Sequence, residues 1–282
     1  MFRAFHSLPP MRAPDGTPCG AAYGFAGMLV RWLGEAAPPR AACVFDHEMT
    51  SFRNALEPGY KAGRTEAPAE LEPQFALCRD VAEALGLAAV SAPGFEADDV
   101  IAALAEWALS AGEQVVVVSA DKDLAQLVRD DGRVVVLDFA RGRRLDAAGV
   151  RERFGVAPAQ IPDWLGLVGD AVDNLPGVPG VGPRTAAALL AAFGRIEAIP
   201  ADPELWRAAG IRGAARLAPI VGRHRDRALK TRELATLRCD VPGLAHELRW
   251  RGPDPARLVA LCQRLGWRGL AERALRLAAS SD

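Results

Sequence analysis

An α/β domain built on a mostly parallel sheet with flanking helices, followed by an all-helical unit, is the architecture that this 282-residue sequence predicts. Three observations lead there. Short apolar runs alternate with segments of helical apolar spacing as far as residue 137, the pattern of buried parallel strands joined by crossover helices. Beyond residue 146 the apolar runs lengthen and Pro and Gly separate them, which reads as helix after helix. Half of the residues are hydrophobic, enough for one large core or a core with a smaller helical unit.

In chain order, residues 21–34 have helical spacing and 41–45 read as a short buried strand. Residues 48–71 differ: Arg53, Tyr60, Lys61 and Arg64 stand among turn formers with little periodicity, so a mobile excursion from the sheet is expected. A helix over 73–85 and a weak strand over 87–90 come next, then a helix over 97–111. The strand over 114–119, with valine at each of 115–118, is the surest central one. A short helix at 124–129 and a strand at 133–137 complete the α/β part. Helices are expected near 158–169, 183–193, 211–220, 222–236 and 254–265. The predicted domains are therefore residues 1–157, including the excursion and its flank at 48–72, and residues 158–282.

Composition excludes several classes. The longest apolar stretch, residues 21–33, contains Arg31 and is too short to cross a bilayer, while residues 1–16 lack the apolar centre of a signal peptide. A cytoplasmic protein with no membrane partner is expected. Cys19, Cys43, Cys78, Cys239 and Cys262 are odd in number and form no C-x-x-C pair, so neither a zinc site nor a disulfide framework is implied. The net charge of −1 is not that of a typical nucleic-acid binder, but sixteen Arg or Lys against seven Asp or Glu from Arg207 onward leave a basic C-terminal part.

Carboxylates gather where chemistry is expected. Functional groups of an open parallel sheet collect at the carboxyl ends of its strands, and Asp46, Asp121 and Asp123 all follow predicted strands. Glu96, Asp98 and Asp99 open a helix in greater number than capping needs. Asp170 and Asp173, three apart, share one face of a helix or turn. If these eight side chains converge, their repulsion is tolerable only with divalent cations among them. A D-x-D after a strand also occurs in haloacid dehalogenase phosphatases and in Toprim domains. Ala125 stands where the former would want Thr or Val, and neither accounts for the glycine-proline segment after Asp173.

That segment reads N-L-P-G-V-P-G-V-G-P-R-T, from Asn174 to Thr185. Gly177, Gly180 and Gly182 allow close approach of backbone, Pro183 suits a first helical turn, and Arg184 and Thr185 add donors. Together with Val178 and Val181 they form a strong helix-hairpin-helix pattern, a turn whose N–H groups cradle a DNA phosphate.

Y-K-A-G-R, E-A-D-D-V-I, S-A-D-K-D-L-A-Q-L-V and G-D-A-V-D-N-L-P-G-V-P-G-V-G-P-R-T-A, in this order, resemble the 5' nuclease family. That family includes flap endonucleases and the N-terminal domain of bacterial DNA polymerase I; this chain resembles a stand-alone bacterial member. The resemblance implies a PIN-like or resolvase-like catalytic domain and a helix-hairpin-helix domain. It implies that Asp46, Glu96, Asp98, Asp99 and Asp121 surround one metal region, and that Asp123, Asp170 and Asp173 complete a second. Two or more Mg2+ are expected, with Mn2+ as a substitute, and K+ at the hairpin. Hydroxide would attack in line and leave a 5' phosphate and a 3' hydroxyl. Tyr60, Lys61 and Arg64 match the family's helical arch, where Lys61 and Arg64 would steady the scissile phosphate and Tyr60 would stack on a frayed base. Arg3 matches a basic residue beside the active site. The expected partner is branched or 5'-ended DNA, bound by a monomer and cut by exonuclease or flap-endonuclease action. The alternative is a junction-binding protein of the same fold with impaired catalysis.

The family begins with an apolar strand ending in Asp-Gly, ahead of the helix that holds the match to Arg3. Here Met1 lies inside that helix, and Asp15 comes after the wrong element to replace the missing aspartate. The expected account is a natural product that starts earlier. The other is a degenerate member, and a true start at Met1 predicts poor solubility or greatly reduced cleavage.

Overall fold

The computed structural model describes residues 5, 6, 8–64, 67–244 and 247–278. The chain forms two compact units, one of Met1–His47, Thr65–Ala92 and Pro242–Asp282, the other of Glu48–Arg64 and Pro93–Val241. In chain order the first unit receives α1 (Gly20–Ala36) and β1 (Ala42–Val44), and the second receives α2 (Phe52–Leu56). The first then takes α3 (Pro73–Ala84) and β2 (Ala88–Val90). To the second belong α4 (Ala97–Ser110), β3 (Val115–Val118), β4 (Val134–Asp138), β5 (Arg143–Leu145), α5 (Ala147–Phe154), α6 (Ile161–Val168), β6 (Gly169–Asp170), β7 (Leu175–Pro176), α7 (Pro183–Phe193), α8 (Pro203–Ala208) and α9 (Ala214–Ala235). The first closes with α10 (Pro255–Leu265) and α11 (Leu270–Ala278). No helix among the described residues is long and apolar enough to cross a membrane.

In the first unit β1 and β2 pair in parallel, Cys43 opposite Ala89. Leu33 of α1, Val81 of α3 and Leu261 of α10 share its core with Trp250 and Trp267. The Trp250 indole N–H donates to the Leu85 carbonyl at 2.8 Å, so a large ring is buried with its one polar atom satisfied.

The second unit carries a three-stranded sheet in the order β3-β4-β5, so among the described residues β4 is the middle strand and the valine strand expected to be central lies at the edge, with Val116 and Val118 exposed. β3 and β4 are parallel, as expected, but β5 is antiparallel to β4. Its sequence, Arg143-Arg144-Leu145, hid it: an edge strand exposed at two of its three residues needs no apolar run. In the helical part of this unit, α6 packs along α9. The break expected between helices at 211–220 and 222–236 does not occur, and α9 runs unbroken through Pro219 and Gly222. An interior proline costs about 3 kcal/mol; burial of Leu217, Ala218, Val221 and Ala228 on the same helix offsets it.

Residues 48–64 of the excursion expected to be mobile are anchored in the second unit. Arg53 is 2% exposed and Tyr60 3% exposed. Periodicity could not show this, because the segment is held by polar bonds rather than by an apolar stripe.

Candidate metal centre and hairpin

At the end of β3 the chain turns through Ser119, whose Oγ accepts from the Asp121 N–H at 3.1 Å; Asp121 Oδ1 in turn accepts from the Asp123 N–H at 3.0 Å. Asp123 opens a 3-10 helix, Asp123–Leu127, pinned by fully buried Leu124 and Ala125. This leaves Asp121 exposed and turns Asp123 inward. At the end of α6, Gly169 and Gly177 face each other across the β6–β7 pair. A Cβ on Gly169 would lie 2.3 Å from the Gly177 nitrogen, and one on Gly177 would lie 2.2 Å from the Val168 carbonyl oxygen, so only glycine permits this approach. Asp170 ends β6 and Asp173 stands in the tight turn to β7, both buried.

Asp123, Asp170 and Asp173 each place a carboxylate oxygen within 4.8 Å of the other two. Lys122 Nζ donates to Asp170 Oδ2 at 2.6 Å. Asp123 Oδ1 is buried and has no hydrogen-bond partner. Burial first, and then the charge of Asp121, push the Asp123 carboxyl up to about 7. An orphaned acceptor among acids, in a low-dielectric position, fits a divalent cation with oxygen ligands.

Glu96, the residue before α4, stands on the far side of Asp173. The Tyr60 hydroxyl lies 3.1 Å from Glu96 Oε2 and 3.2 Å from Asp173 Oδ2, and donates its one proton to either. Burial, then the charges of Glu96 and Asp173, raise the phenol above its ordinary value, so it stays protonated. Lys61 Nζ donates to Glu96 Oε2 at 2.7 Å and Arg64 Nη2 to Asp173 Oδ1 at 2.6 Å. Ser51 Oγ donates to Glu96 Oε1 at 3.1 Å.

The structure treats the expected residues unequally. It brings Glu96, Asp123, Asp170 and Asp173 together with Tyr60, Lys61 and Arg64. Asp98 lies half-buried in the first turn of α4, and Asp46 is exposed just beyond β1 in the other unit. Arg3 lies outside the described residues. Asp99 is fully buried and committed elsewhere: Arg53 grips it with two bonds of 2.6 and 2.8 Å, and the N–H groups of Arg238 and Glu96 take its remaining acceptor positions. The Tyr60 ring is enclosed and offers no face to a base. Sequence reasoning named Arg53 in the excursion without giving it a role, and gave none to Lys122. Lys122 stood in plain view between the two acids of D-K-D, but only its reach to Asp170 reveals its role.

Val178 and Val181 are buried and hold the turn from beneath, with Val181 N–H bonded to the Val178 carbonyl at 3.0 Å. Pro179 and Gly180 occupy its corners, and φ of +81° at Gly180 is the left-handed backbone that a type II turn requires. Gly182 precedes α7, so the N–H groups of Arg184 and Thr185 face outward from its first turn. Asp170 and Gly177 line one open hollow of about 660 Å3 with Lys122, Trp164 and Asn174.

Two family profiles match this arrangement: 5'-3' exonuclease, N-terminal resolvase-like domain, over residues 1–155, and 5'-3' exonuclease, C-terminal SAM fold, over residues 156–256. The chain belongs to the 5'-3' exonuclease family. Among its relatives, DNA polymerase I of Rhizobium leguminosarum is 41% identical over 250 residues, covering 86% of this chain and 24% of the polymerase. DNA polymerase I of Bacillus caldotenax is 36% identical over 279 residues, covering 96% of this chain and 31% of the polymerase. The chain thus spans about a quarter to a third of the length of these relatives. Among solved structures it resembles T5 5'-exonuclease with bound zinc, at a TM-score of 0.63 and 18% identity, covering 93% of this chain and 91% of that one. The catalytic core of Rad2 in complex with DNA substrate gives a TM-score of 0.59 at 16% identity, covering 100% and 88%. At such identities the likeness is one of fold, a resolvase-like domain followed by a helical SAM-like one.

Proposed function

We propose that this chain is a divalent-metal-dependent, structure-specific 5' nuclease. It hydrolyses DNA phosphodiester bonds where a single-stranded 5' end meets duplex, in replication or repair. The observation that carries this reading is the buried, unpartnered oxygen of Asp123, set among Asp170 and Asp173 beside a glycine turn suited to a DNA backbone. Asp123, Asp170 and Asp173 would hold one Mg2+, and Glu96, Asp98 and Asp121 would serve a second, with Mn2+ as a substitute. Bound Mg2+ supplies the Lewis-acid charge that favours ionisation of water and offsets charge on the leaving oxygen.

The chain's own residues do the positioning. Lys61 and Arg64, seated on Glu96 and Asp173, bring a point charge and a planar fork to the place of the scissile phosphate. Tyr60 keeps Glu96 and Asp173 at a set separation. The N–H groups at the start of α7 hold the duplex by its phosphates, with K+ on the carbonyls of the turn, so that junction shape rather than sequence is read. Residues 1–157 would supply Glu96 and Asp123 to the catalytic centre of a cytoplasmic monomer, and residues 158–282 would supply Asp170 and Asp173 together with the duplex-binding hairpin.

Incubation with a 5'-flap DNA and Mg2+ tests the reading. Release of a product bearing a 5' phosphate is expected, lost by at least a hundredfold in Asp170→Asn. Tight flap binding by the unaltered protein without any product would overturn it.

A further inference from the structure

Several arginines of the second unit are ion-paired: Arg53 with Asp99, Arg64 with Asp173, Arg129 with Glu106, Arg151 with Asp130, Arg232 with Glu197 and Arg238 with Asp240. Arg216, Arg223 and Arg227 of α9 are exposed and have no ion-pair partner among the described residues. They are seven and eleven residues apart from the first to the others, about two and three helical turns, and so form one row on the helix. The row has a defined neighbour. The Arg216 guanidinium lies 3.9 Å from where a Gly180 Cβ would be. Further along α9, the Thr231 hydroxyl donates to the Pro176 carbonyl at 2.9 Å. Arg223 and Arg227 therefore stand between two points at which α9 touches the hairpin segment. The acids of this helix do not interrupt the row: Glu233 is held by Lys230, and Asp226 falls on the outermost face, opposite buried Leu217 and Val221.

We propose that Arg216, Arg223 and Arg227 form a phosphate-tracking ridge that extends the hairpin's grip along the duplex. The row is roughly 16 Å long at 1.5 Å per residue, matching about five base pairs of axis at 3.4 Å per phosphate on one strand. The ridge gives the protein a minimum duplex length as well as a contact point. It rests on the reading of the chain as a junction-DNA enzyme.

The test uses the full chain in EDTA, a 5'-flap DNA, a single-stranded oligonucleotide, and anisotropy titrations between 50 and 200 mM KCl. Each lost phosphate contact flattens the slope of log K against log salt by about 0.9. Arg223→Gln with Arg227→Gln should flatten it by about 1.8 on the flap, so that roughly tenfold of the salt sensitivity over that range disappears. Single-strand binding should be unchanged, and Arg31→Gln with Arg40→Gln, an equal charge change in the other unit and outside residues 158–282, should leave both slopes alone. An unaltered flap slope in the ridge variant, an equal loss on single strand, or an equal effect of the control pair overturns the ridge. Should the double variant fold poorly, Arg216→Gln alone must flatten the slope by about 0.9. Failure of the unaltered protein to bind flap DNA at all would instead sink the nuclease reading.

Discussion

Asp123 shows how one side chain can cost stability and confer function. Its carboxyl is pushed up to about 7 from an ordinary 3.8, so the folded protein binds a proton there that the unfolded chain has already lost. Between those two values the fold takes up more protons than the unfolded state, and stability must fall as pH rises. In EDTA, the thermal midpoint should therefore decline from pH 5 to pH 8. Asp123→Asn should flatten the decline, since the amide cannot ionise. Melting curves at stepped pH check this, and an equally steep decline in the variant would show that Asp123 is not its source. Tyr60 works in the opposite sense, placing one proton between Glu96 and Asp173, whose repulsion Lys61 and Arg64 also offset.

Elements are fastened here by a buried ion pair. Arg53 of α2 grips Asp99 of α4 and donates to the carbonyls of Leu234 and Thr236 at the end of α9. Three segments remote in sequence thus meet on one guanidinium. Taking away one member strands the other charge without solvent, a loss of about 3–5 kcal/mol. Asp99→Asn should accordingly lower the unfolding free energy by that order in denaturant titration, and Arg53→Lys should not restore the two-pronged grip. A change below about 1 kcal/mol would show the pair to be dispensable. Because Asp99 is spoken for, the loss should appear with or without divalent metal.

For the whole molecule, metal binding and folding should be linked. A cation that binds only the folded acid cluster stabilises it by RT ln(1 + [L]/Kd), about 2.7 kcal/mol at a hundredfold excess over Kd. Calorimetry with and without Mg2+ should show a rise in midpoint that Asp123→Asn and Asp170→Asn each reduce. Equal rises in the unaltered protein and both variants would place the ion elsewhere.

The valine run of β3, the acids of D-K-D and the glycines before α7 were legible because each obeys a local rule: β-branched preference for strands, strand-end position, or backbone freedom. β5 and the unbroken α9 were not, since edge pairing and helix packing override local preference. The order of residues along the chain was enough for the fold class and the family, and it named acids from which a metal site could be drawn. It took the folded arrangement to establish that Asp123, Asp170 and Asp173 share one basin while Asp99 serves Arg53, and that Tyr60 faces carboxylates rather than a base. The reason is physical: a carboxylate's role depends on which charges and donors lie within a few ångströms, and those neighbours come from segments that spacing along the chain does not relate.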